Sequence, residues 1–174
     1  MAVSKTQSIK TVLSGFSKEK LIDLVCEMNK SCRDANKFLS ARFYPEKLNE
    51  ILEDTKKNIQ KEFFPTRGYG RANLTNVKKA ISSYVKITGD PLAESELLLF
   101  FVEQGIKFTN KYGDIHEDFY VSVETAFRKA IEIQISLGNT EICKKVCRKL
   151  IKLNKMDGWG FADSLREIFE DNFN

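Results

Sequence analysis

The sequence predicts an all-α protein, an irregular multi-helix bundle or short α-superhelix of eight or nine helices. Three observations carry that expectation. Apolar residues recur at i, i+3, i+4 and i+7 in segment after segment, the period of a helix with one buried face. The segments are punctuated by helix starts and stops, among them Ser17, Asp90-Pro91, Gly89, Gly113 and Gly138. The two stretches that invite a strand reading, Leu97–Val102 and Tyr120–Val123, lie inside capped segments of about 22 residues, a length that favours helix.

In chain order, an amphipathic segment from about Ser4 to Ser14 carries Ile9, Val12 and Leu13 and stops at Gly15. Ser17 caps a second helix with Leu21, Leu24, Val25 and Met28 on one face. A third, near Arg33 to Phe43, places Ala35, Phe38 and Leu39 at similar spacing. Pro45 suits the first position of a longer helix with Leu48, Leu52, Ile59 and Phe63, which must end before Pro65. Asn73 or Thr75 caps a helix with Val77, Ile81, Tyr84 and Val85, closed by Gly89. Asp90-Pro91 opens the next, which runs to about Tyr112; its all-round apolar stretch Leu97–Val102 marks it as central. Asp114-Ile115-His116-Glu117 reads as a capping box for a long helix to Leu137. Thr140 opens a helix to about Asn154, and Gly158-Trp159-Gly160 turns the chain into a last helix with Phe161, Leu165, Ile168 and Phe169.

The 174 residues suffice for one compact helical domain, residues 1–174, and no Gly/Ser-rich stretch suggests a linker. With 42% apolar and 30% charged residues the composition is that of a folded chain rather than a disordered one. The opening Met1–Ser8 lacks the apolar run of a secretory signal. The longest apolar run, Leu97–Val102, falls far short of the roughly 20 residues needed to span a bilayer. We expect a cytoplasmic protein with no membrane insertion. In that compartment Cys26, Cys32, Cys143 and Cys147 are expected as reduced, buried thiols. A zinc site would need all four, or three with His116, and neither cysteine pair has the two-residue gap usual for zinc, so neither metal nor cofactor is expected.

Charge is segmented. The chain carries +4 in all, but residues 55–89 alone carry +7, from eight Lys/Arg against Glu62. Residues 90–141 carry −6, 142–155 carry +6 and 156–174 carry −4. The first basic stretch straddles the turn Phe63–Arg71. There Gly68 and Gly70 would let backbone N–H groups approach a ligand, Arg67 and Arg71 would clamp a phosphate, and Tyr69 or Phe64 would stack on a base. Asn73, Lys78 and Lys79 extend that surface into the following helix. The plainer reading is a solvated connection anchored by Phe63 and Phe64. In 140–155, Ile142, Cys143, Val146, Cys147, Leu150 and Ile151 share one half of the helical wheel; Lys144, Lys145, Arg148, Lys149 and Lys152 fill the other. That division suits an anionic partner or, more plainly, a peripheral helix with its lysines in water. Trp159 reads best as a core plug.

No catalytic signature accompanies these surfaces. The acids of His116-Glu117-Asp118 serve a helix start, no serine or cysteine is placed as a nucleophile beside the histidine, and Glu94, Glu96 and Glu103 read as an exposed helix face. An enzyme is not expected.

Two resemblances follow from these residues. Val12–Leu24 resembles the short helix-turn-helix of SAP-type nucleic-acid-binding modules. Over most of the chain, "SKEKLIDLV", "ILEDTKKNIQKEFFP", "NVKKAISSYVKITGDP" and "LLLFFVEQGIKFT" resemble an uncharacterised family of small bacterial all-helical proteins catalogued as a domain of unknown function. That second resemblance implies an all-helical, cytosolic single domain and supplies no activity. The expected function is a non-enzymatic helical binding or adaptor module acting through protein–protein contacts or self-association. The alternative is binding of nucleic acid or another polyanion through 55–89 and 142–155.

Overall fold

A computed structural model describes residues 5–156 and 158–173. Among these residues the chain forms nine α-helices, two short 3-10 turns and no strand, as the periodicity requires. Met1–Ser4, which holds the first residue expected to be helical and half of the stretch read for a secretory signal, lies outside the described residues. The chain divides into two compact units, Met1–Lys47 and Leu48–Asn174.

The first unit holds α1 (Lys5–Leu13), α2 (Lys18–Ser31), α3 (Arg33–Phe43) and a 3-10 turn, Pro45–Lys47. Ser17 caps α2 as expected, its hydroxyl accepting from the Lys20 N–H at 3.3 Å. α2 and α3 pack on each other and are tied by Asn36 Nδ2, which donates to Asn29 Oδ1 at 3.0 Å. Pro45 opens the 3-10 turn instead of the next α-helix. The residue before a proline is kept from the α region, and Tyr44 accordingly sits at φ −132°, ψ 76°. Ser40 is the one buried residue here among those described. Cys26 and Cys32 are therefore exposed, against expectation: too few elements surround α2 and α3 to enclose them.

The second unit holds α4 (Leu48–Phe63), α5 (Leu74–Thr88), α6 (Pro91–Tyr112), α7 (Glu117–Ser136), α8 (Thr140–Leu153), a 3-10 turn at Gly158–Gly160, and α9 (Phe161–Phe173). α6 is its axis. Asp90 caps it by accepting from Leu92 N at 2.9 Å and Ala93 N at 3.2 Å, with Pro91 in the first turn. Leu97, Val102 and Ile106 are wholly enclosed, and α4, α5, α7 and α8 all pack on this helix. Gly105 permits a close approach of α7, since a Cβ there would stand 2.9 Å from Val123. A run of rings links the elements: Phe63 to Phe101 (6.0 Å between centroids) and Phe108 (5.9 Å), Phe108 to Phe119 (6.0 Å), Phe119 to Tyr120 (5.5 Å) and Tyr120 to Phe161 (5.0 Å).

Around α6, α4 packs on α5, and α7 packs on α8 and α9. α5 and α7 do not pack along their lengths, which leaves a groove floored by α6. A second groove opens between α4 and α8.

The last connections depart from expectation at two points. Asp114 does not build a capping box. His116 stands at the N-cap without a side-chain bond, while Asp114 Oδ1 accepts from the Tyr120 hydroxyl at 2.7 Å. The carboxylate is drawn to a phenol in α7, and burial followed by this bond pushes the Tyr120 hydroxyl up to about 12. Trp159 is no core plug. It is 61% exposed at φ 55°, its indole N–H donating to Ile115 O at 3.0 Å, because the turn swings the ring outward and Phe161 fills the core.

Candidate functional site

The basic turn is built by termination and anchoring. α4 ends at Phe63 ahead of Pro65, and α5 begins only after Asn73, whose side chain accepts from the Asn76 N–H at 3.2 Å. Phe63 is wholly enclosed; Phe64 lies 6.0 Å from the Phe108 ring and 6.3 Å from Tyr112, with Lys111 Nζ over its face. Gly70 is pressed into this cluster: a Cβ there would collide with the Phe63 carbonyl oxygen and meet the Phe108 ring at 2.8 Å. Its role is close packing, whereas Gly68 stands at φ +84° in open space, the conformation glycine adopts most readily.

Between these anchors lies a concavity of about 480 Å³ lined by Lys61, Glu62, Arg67, Tyr69, Arg71 and Asn73. Five candidates expected from the sequence, Arg67, Gly68, Tyr69, Arg71 and Asn73, line it together. Lys61, Arg67 and Arg71 have no acid within ion-pair distance among the described residues. The single acid, Glu62, is held by Asn76 Nδ2 at 3.2 Å from each oxygen. Tyr69 is 89% exposed, and Ala72 stands at φ 46°, a left-handed conformation costly for alanine. The site thus presents three cations and an aromatic face on a strained turn, suited chemically to a polyanion.

The other bases of the 55–89 stretch behave differently. Lys56 is largely enclosed and bonds Glu53 and Glu96, both at 2.7 Å. Burial works against its charge, yet the two carboxylates outweigh it and raise its titration above the ordinary lysine value. Lys57 pairs with Asp54 at 3.3 Å, Lys78 donates to Ser122 Oγ at 2.9 Å, and Lys79 points to solvent.

α8 keeps Cys143, Cys147 and Leu150 buried, but Ile142 from its expected apolar half is 64% exposed. Cys143 and Cys147 lie with sulfurs 3.7 Å apart; their mutual hydrogen bond, then burial, pushes the Cys147 thiol up, away from reactivity. Two of the bases serve packing: Arg148 lies over Phe169 at 5.5 Å, and Lys144 over Phe173 at 5.7 Å. Lys145, Lys149 and Lys152 face solvent.

The basic elements do not share one wall. The turn rests on Phe108 and Tyr112, whereas the end of α8 is fixed through Asn110, which donates to Leu153 O at 2.8 Å and accepts from the Lys155 N–H at 2.9 Å. Two helical residues turn about 200°, so Asn110 stands on the face of α6 opposite Phe108 and Tyr112.

The carboxylates considered for catalysis are engaged: Glu94 with Lys129 (2.6 Å), Glu96 with Lys56 (2.7 Å) and Glu103 with Lys107 (2.7 Å). No group of three metal-ligating side chains occurs, and no helix is long and apolar enough to cross a membrane, among the described residues. What the sequence reading missed is the α5–α7 groove, whose cations come from segments of opposite net charge.

Residues 3–173 match the model of a family described as "Family of unknown function (DUF6155)", in agreement with the resemblance drawn from the sequence. No curated protein and no solved structure matches the chain.

Proposed function

For this chain, which belongs to the DUF6155 family of unknown function, we propose a non-enzymatic binding module that works through protein–protein contacts, first of all with a second copy of itself. The observation that carries the reading lies in the first unit. Ile9, Val12, Phe16, Ile22, Val25, Met28, Phe38, Phe43 and Tyr44 are each between 39% and 67% exposed. A unit of this size with one enclosed residue gains little from its own core, and partners or oligomerisation usually supply what is missing. The exposed residues together offer on the order of 1,000 Å², comparable to one side of a standard interface. Its free, exposed Cys26 and Cys32 fit a reducing, cytoplasmic setting.

The test is a charged pair on α2. Ile22→Glu with Val25→Glu places two carboxylates where the account puts an apolar contact. Association measured by light scattering is expected to weaken at least about tenfold, while the unfolding transition of the second unit stays in place. Association unchanged by this pair removes the first unit as the interface.

A second reading, binding of nucleic acid or another polyanion, is favoured by Lys61, Arg67 and Arg71 around the turn concavity, none of which has an acid within ion-pair distance among the described residues. Arg67→Ala with Arg71→Ala is expected to weaken binding of a single-stranded oligonucleotide and to flatten its salt dependence, with thermal stability unchanged. Equal binding and an equal salt slope in this variant dismiss the second reading.

A further inference from the structure

We propose that the groove between α5 and α7 receives an acidic amphipathic helix of a partner protein; this rests on the protein–protein reading above and names a site and a partner chemistry for it. The groove, about 580 Å³, lies over α6 where its two flanking helices fail to meet. Its lining is apolar at depth, with Leu98 and Phe101 of α6 on the floor and Ile81, Val85 and Ala126 at the feet of the two walls. Its walls follow helical spacing: Lys78, Ser82 and Lys86 stand along α5, and Ser122, Thr125 and Lys129 along α7. From Lys78 to Lys86 the wall runs about 12 Å, two turns of a docked helix. Two helical walls and a hydrophobic floor are what a helix-in-groove site offers to apolar anchors at i, i+3 and i+4.

The rim selects the charge of the occupant. Lys78, Lys86 and Lys129 face one acid, Glu94, which bonds Lys129 at 2.6 Å. Lys86 has no acid within ion-pair distance among the described residues, and Lys78 spans the groove to the neutral Ser122 at 2.9 Å. Among the described residues these two cations have no counter-charge beside the apolar floor. A helix with acids flanking a narrow apolar stripe satisfies both features, while a basic helix meets repulsion from the α5 wall.

The probe is a fluorescein-labelled peptide of about 15 residues, long enough to form helix on docking, with leucines at i, i+3, i+4 and i+7 and glutamates elsewhere. Fluorescence anisotropy with the full chain is expected to show saturable one-to-one binding. Lys78→Glu with Lys86→Glu should weaken it at least about tenfold. Ser82→Trp, which fills the groove at an exposed position and leaves the charges intact, should weaken it similarly; Arg67→Ala with Arg71→Ala should leave it unchanged. Circular dichroism melts of each variant establish that the fold persists. The proposal is overturned if the peptide binds all variants alike, or if a glutamate peptide without leucines binds equally well. It is also overturned if dodecanoate fills the groove and the peptide does not, or if the groove variants instead abolish association between copies. Failure here with self-association intact removes this site alone; a mass independent of concentration removes the broader reading.

Discussion

Phe63→Ala is expected to destabilise the second unit by about 3–5 kcal/mol, lowering its melting temperature by on the order of 10–20 °C. The side chain is wholly enclosed where the end of α4 meets the middle and end of α6, with rings of Phe64, Phe101 and Phe108 within 6.4 Å. Truncation removes a large apolar surface and leaves a cavity whose walls are held by α4 and α6, so collapse is limited. It also withdraws support from the basic turn, whose Gly70 packs on the Phe63 backbone. Chemical denaturation of the variant checks this; a loss under about 1 kcal/mol, the size of an exposed truncation, contradicts the placement of Phe63 at the centre of the cluster.

Gly70→Ala is expected to cost the upper end of about 1–3 kcal/mol or more, because the added methyl meets a backbone carbonyl and the Phe108 ring and neither is free to withdraw. Gly68→Ala, two residues earlier, should cost only about 1–2 kcal/mol, the price of a left-handed backbone with no steric clash. Thermal melts of the two variants separate the cases. The same pair bears on function: if the turn binds a polyanion, Gly68→Ala alters binding more than stability, since Gly68 lines the open concavity and Gly70 faces the core. Equal costs at the two positions contradict the anchored geometry of the turn.

Local signals carried the fold. The caps at Ser17 and Asp90 act within a few residues and form as expected, Asn73 takes the α5 cap for which Thr75 was the alternative, and the all-round apolar stretch of α6 is central because no exposed face remains for it. Where side chains answer to partners other than the backbone of their own turn, sequence reading fails. Asp114 has the right spacing for a capping box, but the Tyr120 hydroxyl captures it. Trp159 has the size of a core residue, yet its turn geometry hands that place to Phe161. In the first unit, periodicity identifies an apolar face on each helix without saying what covers it; there Val25 and Met28 remain about half exposed.

The candidate sites divide along the same line. Arg67, Tyr69 and Arg71 lie within five residues of one another, so their common concavity was legible. Lys78 and Lys129 lie in segments of opposite net charge, and only the packing of α5 and α7 on α6 makes them one rim. The two basic stretches, 55–89 and 142–155, are each legible in the sequence, whereas the Asn110 and Phe108 faces of α6 that set their anchors apart are not.

Sedimentation equilibrium of the unmodified chain, over a wide range of concentration at low and high salt, tests the central claim most directly. The account predicts a mass that rises above the 20.0 kDa of one chain as concentration increases, and that persists at high salt because the contact is apolar. A single 20.0 kDa species at every concentration and salt would contradict it.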